Sequence, residues 1–301
     1  MINYIKRKDL DVTKYDACIE NSIQSRIYAF SWYLDIVADH WDVLVLDDYN
    51  AVMPITWRKK IGIKYVYPPL WLLELGVFSL DESQDIQPFL AILYSKFKFV
   101  ELRLNTKNKF LKSASLIPKQ FQYLDLKIGY EAILKGYNRN RKRELVKANK
   151  YHLLENWTDN PDKLITIFKE NIAERVKGIS DKDYANLRNL MNFSLKNRVG
   201  ELLTIYDTND KLLAAAFFLK HKNKVTQLVC ASDISNRKSG VHTFFNDRAI
   251  FKYQSHFDIY NFGGSSMENI ANYYVSFGSQ TEEYQQIKYN NLPFLLKLFK
   301  R

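Results

Sequence analysis

The stretch from Leu212 to Tyr253, LLAAAFFLKHKNKVTQLVCASDISNRKSGVHTFFNDRAIFKY, restricts the fold more than any other. Two apolar runs joined by Lys222-Asn223-Lys224 read as a β-hairpin. A polar loop follows, and then a helix with Val241, Phe244, Phe245 and Ala249 at i, i+3, i+4 and i+8. Ser232 to Gly240 is short, carries Arg237 and Lys238, and ends in glycine at the helix start. Free backbone N–H groups and the helix dipole favour an anion there. The phosphates of a cofactor would fit. The plainer alternative is a basic strand-to-helix connection, because one glycine makes a weaker cradle than several.

The remaining 259 residues of the 301 extend this α/β signal in both directions. Asn3–Lys6 reads as a strand, Asp11–Asn21 as a helix, and Ser31 as the cap of a helix reaching His40. Apolar runs at 43–46 and 51–57 flank Asp47-Asp48-Tyr49-Asn50, a hairpin signal, and a third extended run covers 63–67. Pro68-Pro69 halts regular structure before an apolar segment to Phe78. A helix at 85–97 and a strand at 100–104 follow.

The strand Gln122–Leu126 leads into a helix expected from about Gly129 to Lys150. Its stripe of Leu134, Tyr137, Arg141, Leu145 and Ala148 has spacings of 3, 4, 4 and 3, which puts Arg141 on the apolar face. A charge there has to be paired or functional. Arg139, Arg143, Lys147 and Lys150 share another, basic face, which as a solvated surface needs no further role. After the strand 153–157 come helices at 161–176 and 181–197, with Asp159 or Asn160 capping the first. Next come the strand 202–206, the hairpin, the loop and its helix, and the strand 258–262. A helix at 267–277, a last strand near 284–289 and a basic apolar tail from Leu292 complete the order.

Each half thus repeats strand, two helices, three strands, helix, strand. Duplication of one α/β unit is the economical account, with domains at 1–128 and 129–301 and a binding cleft between them. Each is expected to be an α/β (α+β) domain with a mixed, mostly antiparallel sheet flanked by helices. The absence of an apolar run of about 18 residues argues against a membrane span, and the polar start MINYIKRKDLD against a signal peptide. A cytoplasmic protein without membrane insertion is expected. Cys18 and Cys230 fit free thiols, and no Cys/His cluster has metal-ligand spacing, so no metal is expected. The formal charge of +11 predicts phosphorylated or acidic partners without naming one.

Three stretches carry a family resemblance. Tyr137-Asn-Arg-Asn-Arg-Lys-Arg143-Glu-Leu145-Val-Lys147-Ala148 resembles a helix of the form R-x-I-x-K-A, with Arg143, Leu145, Lys147 and Ala148 at the matching positions. Tyr260-Asn-Phe262-Gly263-Gly264-Ser265 is similar to a fifth strand and its glycine turn. Ile270-Ala271-Asn-Tyr273-Tyr274-Val-Ser-Phe277-Gly278 looks like I-A-x-F-Y-x-x-F-G. Together with the order of elements they resemble the acyltransferase fold of the GNAT superfamily used twice, as in the FemAB-like peptidoglycan aminoacyltransferases. The N-terminal 28–34 and 52–60 segments also look like uncharacterised members common in Bacteroidetes. Two features depart from the family. The helical pair at 161–197 is too short for the long coiled-coil arm of some FemAB-like enzymes, and the loop 236–240 is poorer in glycine than the family's pyrophosphate loop.

The resemblance implies N-acyl transfer from acyl-CoA, most simply acetyl-CoA, to an amine by direct attack and without a covalent enzyme intermediate. In that scheme Val229, Cys230 and Ala231 meet the acyl carbonyl, while Asn236, Arg237, Lys238, Ser239 and Gly240 hold the pyrophosphate. Tyr274 protonates the leaving thiolate, with core packing as its alternative role, and Asp258 and His242 are the proton acceptors. Arg141 and Arg143 are the residues expected to bind substrate, a small-molecule or cell-wall-precursor amine. The alternative donor is aminoacyl-tRNA, acting on a peptidoglycan precursor. A third reading is a non-catalytic module for an anionic polymer, and the lack of aromatics between the cations argues against it.

Overall fold

The computed structural model describes residues 1–108, 116–173, 176, 178–264 and 267–294. The chain divides into two compact units, Met1–Lys119 with Glu283–Arg301, and Gln120–Glu282.

In the first unit β1 (Ile2–Lys6) is followed by α1 (Val12–Asn21) and α2 (Ser31–Val37), then by β2 (His40–Leu46), β3 (Ala51–Lys60) and β4 (Ile63–Val66). A short β5 (Phe78–Ser79), α3 (Gln87–Lys96) and β6 (Phe99–Arg103) complete the run. β1 to β4 pair antiparallel in sequence order. β6 returns parallel to β4, and on its other side pairs antiparallel with β13 (Gln280–Asn290) through Gln286–Asn290. The fully buried rings of Tyr15, Tyr33, Phe78 and Phe89 anchor this core.

The second unit repeats that plan. β7 (Leu116–Asp125) enters it and precedes α4 (Tyr130–Gly136) and α5 (Arg139–Lys150). β8 (Leu154–Asn156), α6 (Asp162–Asn171) and α7 (Asp181–Lys196) lead to the meander β9 (Gly200–Tyr206), β10 (Leu212–His221) and β11 (Lys224–Ser232). α8 (Val241–Tyr253) then crosses over to β12 (Ile259–Asn261), which runs parallel to β11, and α9 (Glu268–Val275) follows. β8 to β11 pair antiparallel in order, and β7 closes the far side of β12 antiparallel through Tyr123–Asp125. With the short β5, which pairs beside β3, set aside, each unit therefore has five strands in one order, with one parallel strand pair made by a helical crossover. One further strand of each, β13 beside β6 and β7 beside β12, comes from a different part of the chain.

Several boundaries differ from expectation for identifiable reasons. The helix expected over 129–150 is two helices, because the Asn138 side chain accepts from the N–H groups of Asn140 and Arg141 and restarts it as an N-cap. Tyr137 thereby becomes the C-cap that follows α4, though its ring stays in the same core as Leu145 and Ala148. Ser31 does not cap α2. Phe30 occupies that position, and the Ser31 hydroxyl donates to Asp16 at 2.6 Å, while β2 already begins at His40. The helix expected to reach Val176 ends at Asn171, and Asn160 accepts from the Asp162 N–H at its start. Most of the tail from Leu292 lies outside the described residues.

Candidate active site

The sequence gives β11 apolar residues on both faces, and its pairing shows where the sheet opens. β11 and β12 pair only from Lys224–Ile259 to Thr226–Asn261. Gln227 to Ser232 continue beside β10 with no β12 partner, so the parallel strands part after Thr226. Gly263 and Gly264 turn the chain away from β12 at φ 78° and 73°. A Cβ on Gly263 would fall closer than 3.0 Å to the Gln227 carbonyl oxygen, so only glycine fits where the strands separate. In the first unit the same position is closed. After the single β4–β6 pair, Val66–Val100, the chain returns at Leu75, whose N–H donates to the Arg103 carbonyl and whose carbonyl accepts from Asn105.

A β-bulge lies at the divergence. Phe217 faces Val229 and Phe218 faces Gln227, which leaves Leu228 as the extra residue on β11. The extra residue shifts the alternation, so that Gln227 and Cys230 share a face, and the Gln227 Nε2 lies 3.3 Å from the Cys230 Sγ. The same amide nitrogen donates to the Tyr274 hydroxyl at 3.4 Å, and the Gln227 Oε1 accepts from Tyr260 at 2.9 Å. The Tyr274 ring stacks on Phe262 at 4.6 Å, while its hydroxyl also meets Cys230. Burial, with the nearby Cys230, pushes the Tyr274 hydroxyl well above the ordinary tyrosine range, and burial pushes the Cys230 thiol up to about 12. Both groups are therefore protonated at neutral pH.

The N-terminus of α8 stands beside this face. The His242 Nδ1 is 3.3 Å from the Ser232 hydroxyl, and its ring meets the Tyr273 ring edge-on at 5.0 Å. Tyr273 in turn contacts Tyr274, with ring centroids 5.6 Å apart. The Thr243 hydroxyl, fully buried, lies 3.3 Å from the Tyr273 hydroxyl and donates to Glu144. Arg141 completes the cluster, as the apolar stripe required. It is 8% exposed, donates to Thr243 at 2.8 Å, pairs with Glu144 at 3.0 Å, and lies 4.4 Å from the centre of the Tyr273 ring. Its Nε is buried with no hydrogen-bond partner among the described residues.

The loop before α8 is tied down by Asp233, which accepts from the Asn236 amide, the Ser235 N–H and hydroxyl, and Lys211. Although burial opposes ionisation, these bonds hold Asp233 well below the usual carboxylate range. Ser239 donates to the Asn236 carbonyl and accepts from the Val241 N–H, so the side chains of Asn236 and Ser239 serve the loop itself. Lys238 is exposed, and the side chain of Arg237 lies outside the described residues. Gly240 has φ 79°, and a Cβ there would strike the Glu144 carbonyl oxygen, which seats the loop against α5.

Of the expected site residues, Val229, Cys230, Ala231, Ser239, Gly240, His242 and Tyr274 gather around the end of β11 and the start of α8. Asp258 does not join them. It accepts from the Asn223 side chain at 2.9 Å beside the hairpin turn, about 20 Å along β11 from Ala231. Arg143 is exposed on the outside of α5 and donates to Asn140. Sequence reasoning missed Gln227, Ser232 and Asn246, whose amide nitrogen donates to the His242 carbonyl at 2.8 Å and whose Oδ1 accepts from Tyr260 at 3.5 Å. A lone glutamine inside the apolar run Val225–Val229, and Asn246 within the helical run after Phe245, were the available signals.

Comparison with solved structures places this geometry. FemX matches over 99% of this chain and 100% of its own, at TM-score 0.65 and 12% identity. A tandem GNAT protein from the clavulanic acid biosynthesis pathway matches over 97% and 100%, at TM-score 0.56 and 9% identity. The fold is GNAT-like and FemAB-like, used twice. The C-terminal domain of a lysylphosphatidylglycerol synthetase from Agrobacterium fabrum, described as putative, matches this GNAT-like fold as well. It covers 96% of this chain and 94% of its own, at TM-score 0.57 and 13% identity. No family model and no curated protein matches the sequence.

Proposed function

We propose that this protein is an N-acyltransferase that takes its acyl group from acyl-CoA, and that the second of its two GNAT-like domains, expected at 129–301, carries the reaction. The observation that carries this reading is the Tyr274 hydroxyl at the point where β11 and β12 part. The site fits such a donor on three grounds. β11 beyond Thr226 has a strand edge with no β12 partner, Gly263 keeps a Cβ out of the gap, and the loop before α8 exposes Lys238 at the start of that helix.

The donor supplies an activated thioester. An amine attacks the acyl carbon, and backbone N–H groups among Val229, Cys230 and Ala231 would hold the carbonyl oxygen as it gains charge. His242, turned by Ser232, would take the proton from the amine. Tyr274, kept protonated by burial, would donate to the leaving sulfur as the C–S bond breaks. Arg141 would fix the Tyr273 ring between His242 and Tyr274.

The test is a panel of acyl-CoA thioesters, read first by thermal shift and then by thiol release with amine acceptors. A specific ligand raises the apparent stability of the folded state. Tyr274→Phe is expected to lower kcat by about 10²-fold or more, with CoA affinity held. No shift with any thioester, together with acyl transfer from aminoacyl-tRNA, would move the donor to the second class.

A further inference from the structure

We infer that the outer face of α5 and the groove beside it form a docking surface for an anionic phospholipid membrane. Arg139, Lys142, Arg143, Val146, Lys147 and Lys150 recur at i, i+3, i+4, i+7, i+8 and i+11, so they lie along one face of the helix. Five of the six are cations, in a row about 17 Å long. The one carboxylate of α5, Glu144, is turned to the opposite side, where it meets Arg141 and Thr243, so nothing within the helix neutralises the row. The one uncharged position, Val146, is 57% exposed.

Alongside runs a groove of about 500 Å³ between α4, α5 and α8. Leu134, Leu145, Val146 and Phe244 line it together with the cations Lys135, Lys142 and Arg248, which outnumber its carboxylates Glu131 and Asp247. Phe251, 44% exposed, meets Tyr130 of the groove edge-on. A cationic row around exposed apolar side chains matches the boundary between anionic headgroups and acyl chains, where a helix lies in the surface and does not cross it. Among the described residues no helix is long and apolar enough to cross a membrane. RNA is the less suitable occupant. A single strand wants flat rings between the cations, whereas the cationic row of α5 holds only Val146 and the rings of Tyr130, Phe244 and Phe251 lie to one side of it, along the groove.

The test is co-sedimentation of the full chain with vesicles of phosphatidylcholine alone and of phosphatidylcholine mixed with phosphatidylglycerol. Binding to the mixed vesicles only is expected. Each basic side chain at an anionic surface strengthens partitioning by roughly fivefold, so Lys142→Ala with Lys147→Ala should weaken it by roughly 30-fold. Val146→Ser should weaken it further with no change in thermal stability. Lys59→Ala with Lys60→Ala, which removes the same charge from the exposed end of β3, is the control and should cost little by comparison. Equal losses in the two double variants, or no vesicle binding by the unaltered chain while single-stranded RNA binds, would overturn the inference.

Discussion

Replacing Gly263 by alanine tests the opening of the sheet at its narrowest point. Two penalties combine. Holding alanine at φ 78° costs about 1 to 2 kcal/mol. The new Cβ also meets the Gln227 carbonyl oxygen closer than 3.0 Å, and because that neighbour is backbone, no rotamer change relieves it. Overpacking of this kind costs about 1 to 3 kcal/mol, so the total is roughly 2 to 5 kcal/mol. Urea denaturation should show a lower midpoint with an unchanged slope, the signature of lost stability without a new denatured state. The same displacement moves β12 and Phe262, against which Tyr274 stacks, so acyl-CoA affinity should fall at least about tenfold. A stability loss under about 0.5 kcal/mol, the scale of an inert surface substitution, would refute the close approach and with it the geometry assigned to the site.

Other perturbations reach the surrounding framework. Arg141→Ala leaves Glu144 and Thr243 without their cation and removes the contact with Tyr273. With Glu144 one-third exposed, the loss should be about 2 to 4 kcal/mol by denaturation, and a loss below about 1 kcal/mol would show that the pair is solvated. Asp247, buried and accepting from Tyr130 and Tyr137, has its carboxyl held above the usual range by burial. Its protonated form therefore stabilises the fold below the unfolded pKa, and this contribution is lost as pH rises through the folded pKa. Asp247→Asn should remove that part of the pH dependence and raise stability at neutral pH, and an unchanged pH profile would contradict it. Burial pushes the thiols of Cys18 and Cys230 up to about 11 and about 12, so both should resist alkylation by iodoacetamide in the folded protein near pH 8. Labelling at the rate of an unfolded control would be the contrary result.

The strands and the duplicated order were legible because long apolar runs and polar turns repeat in each half. The position of Arg141 was legible because a charge on an apolar stripe has few solutions. The break at Tyr137-Asn138 had a local signal in Gly136, which ends α4, but the apolar stripe continues in register through Tyr137 and Arg141 and masked it. The bulge at Leu228 was hidden, as nothing in Val225–Ala231 punctuates the strand. Without the bulge, alternation puts Gln227 and Cys230 on opposite faces, so the polar contacts around Tyr274 could not be read from spacing. Asp258 looked suitable by position alone, and parallel pairing with Lys224 puts its neighbour Ile259 at the wrong end of β11.

Amide hydrogen exchange with and without acetyl-CoA tests the central claim most directly. The account predicts added protection at Gln227 to Ser232 and at the start of α8, with the β4–β6 region of the first unit unchanged. Protection confined to the first unit, or none at saturating acetyl-CoA, would contradict it.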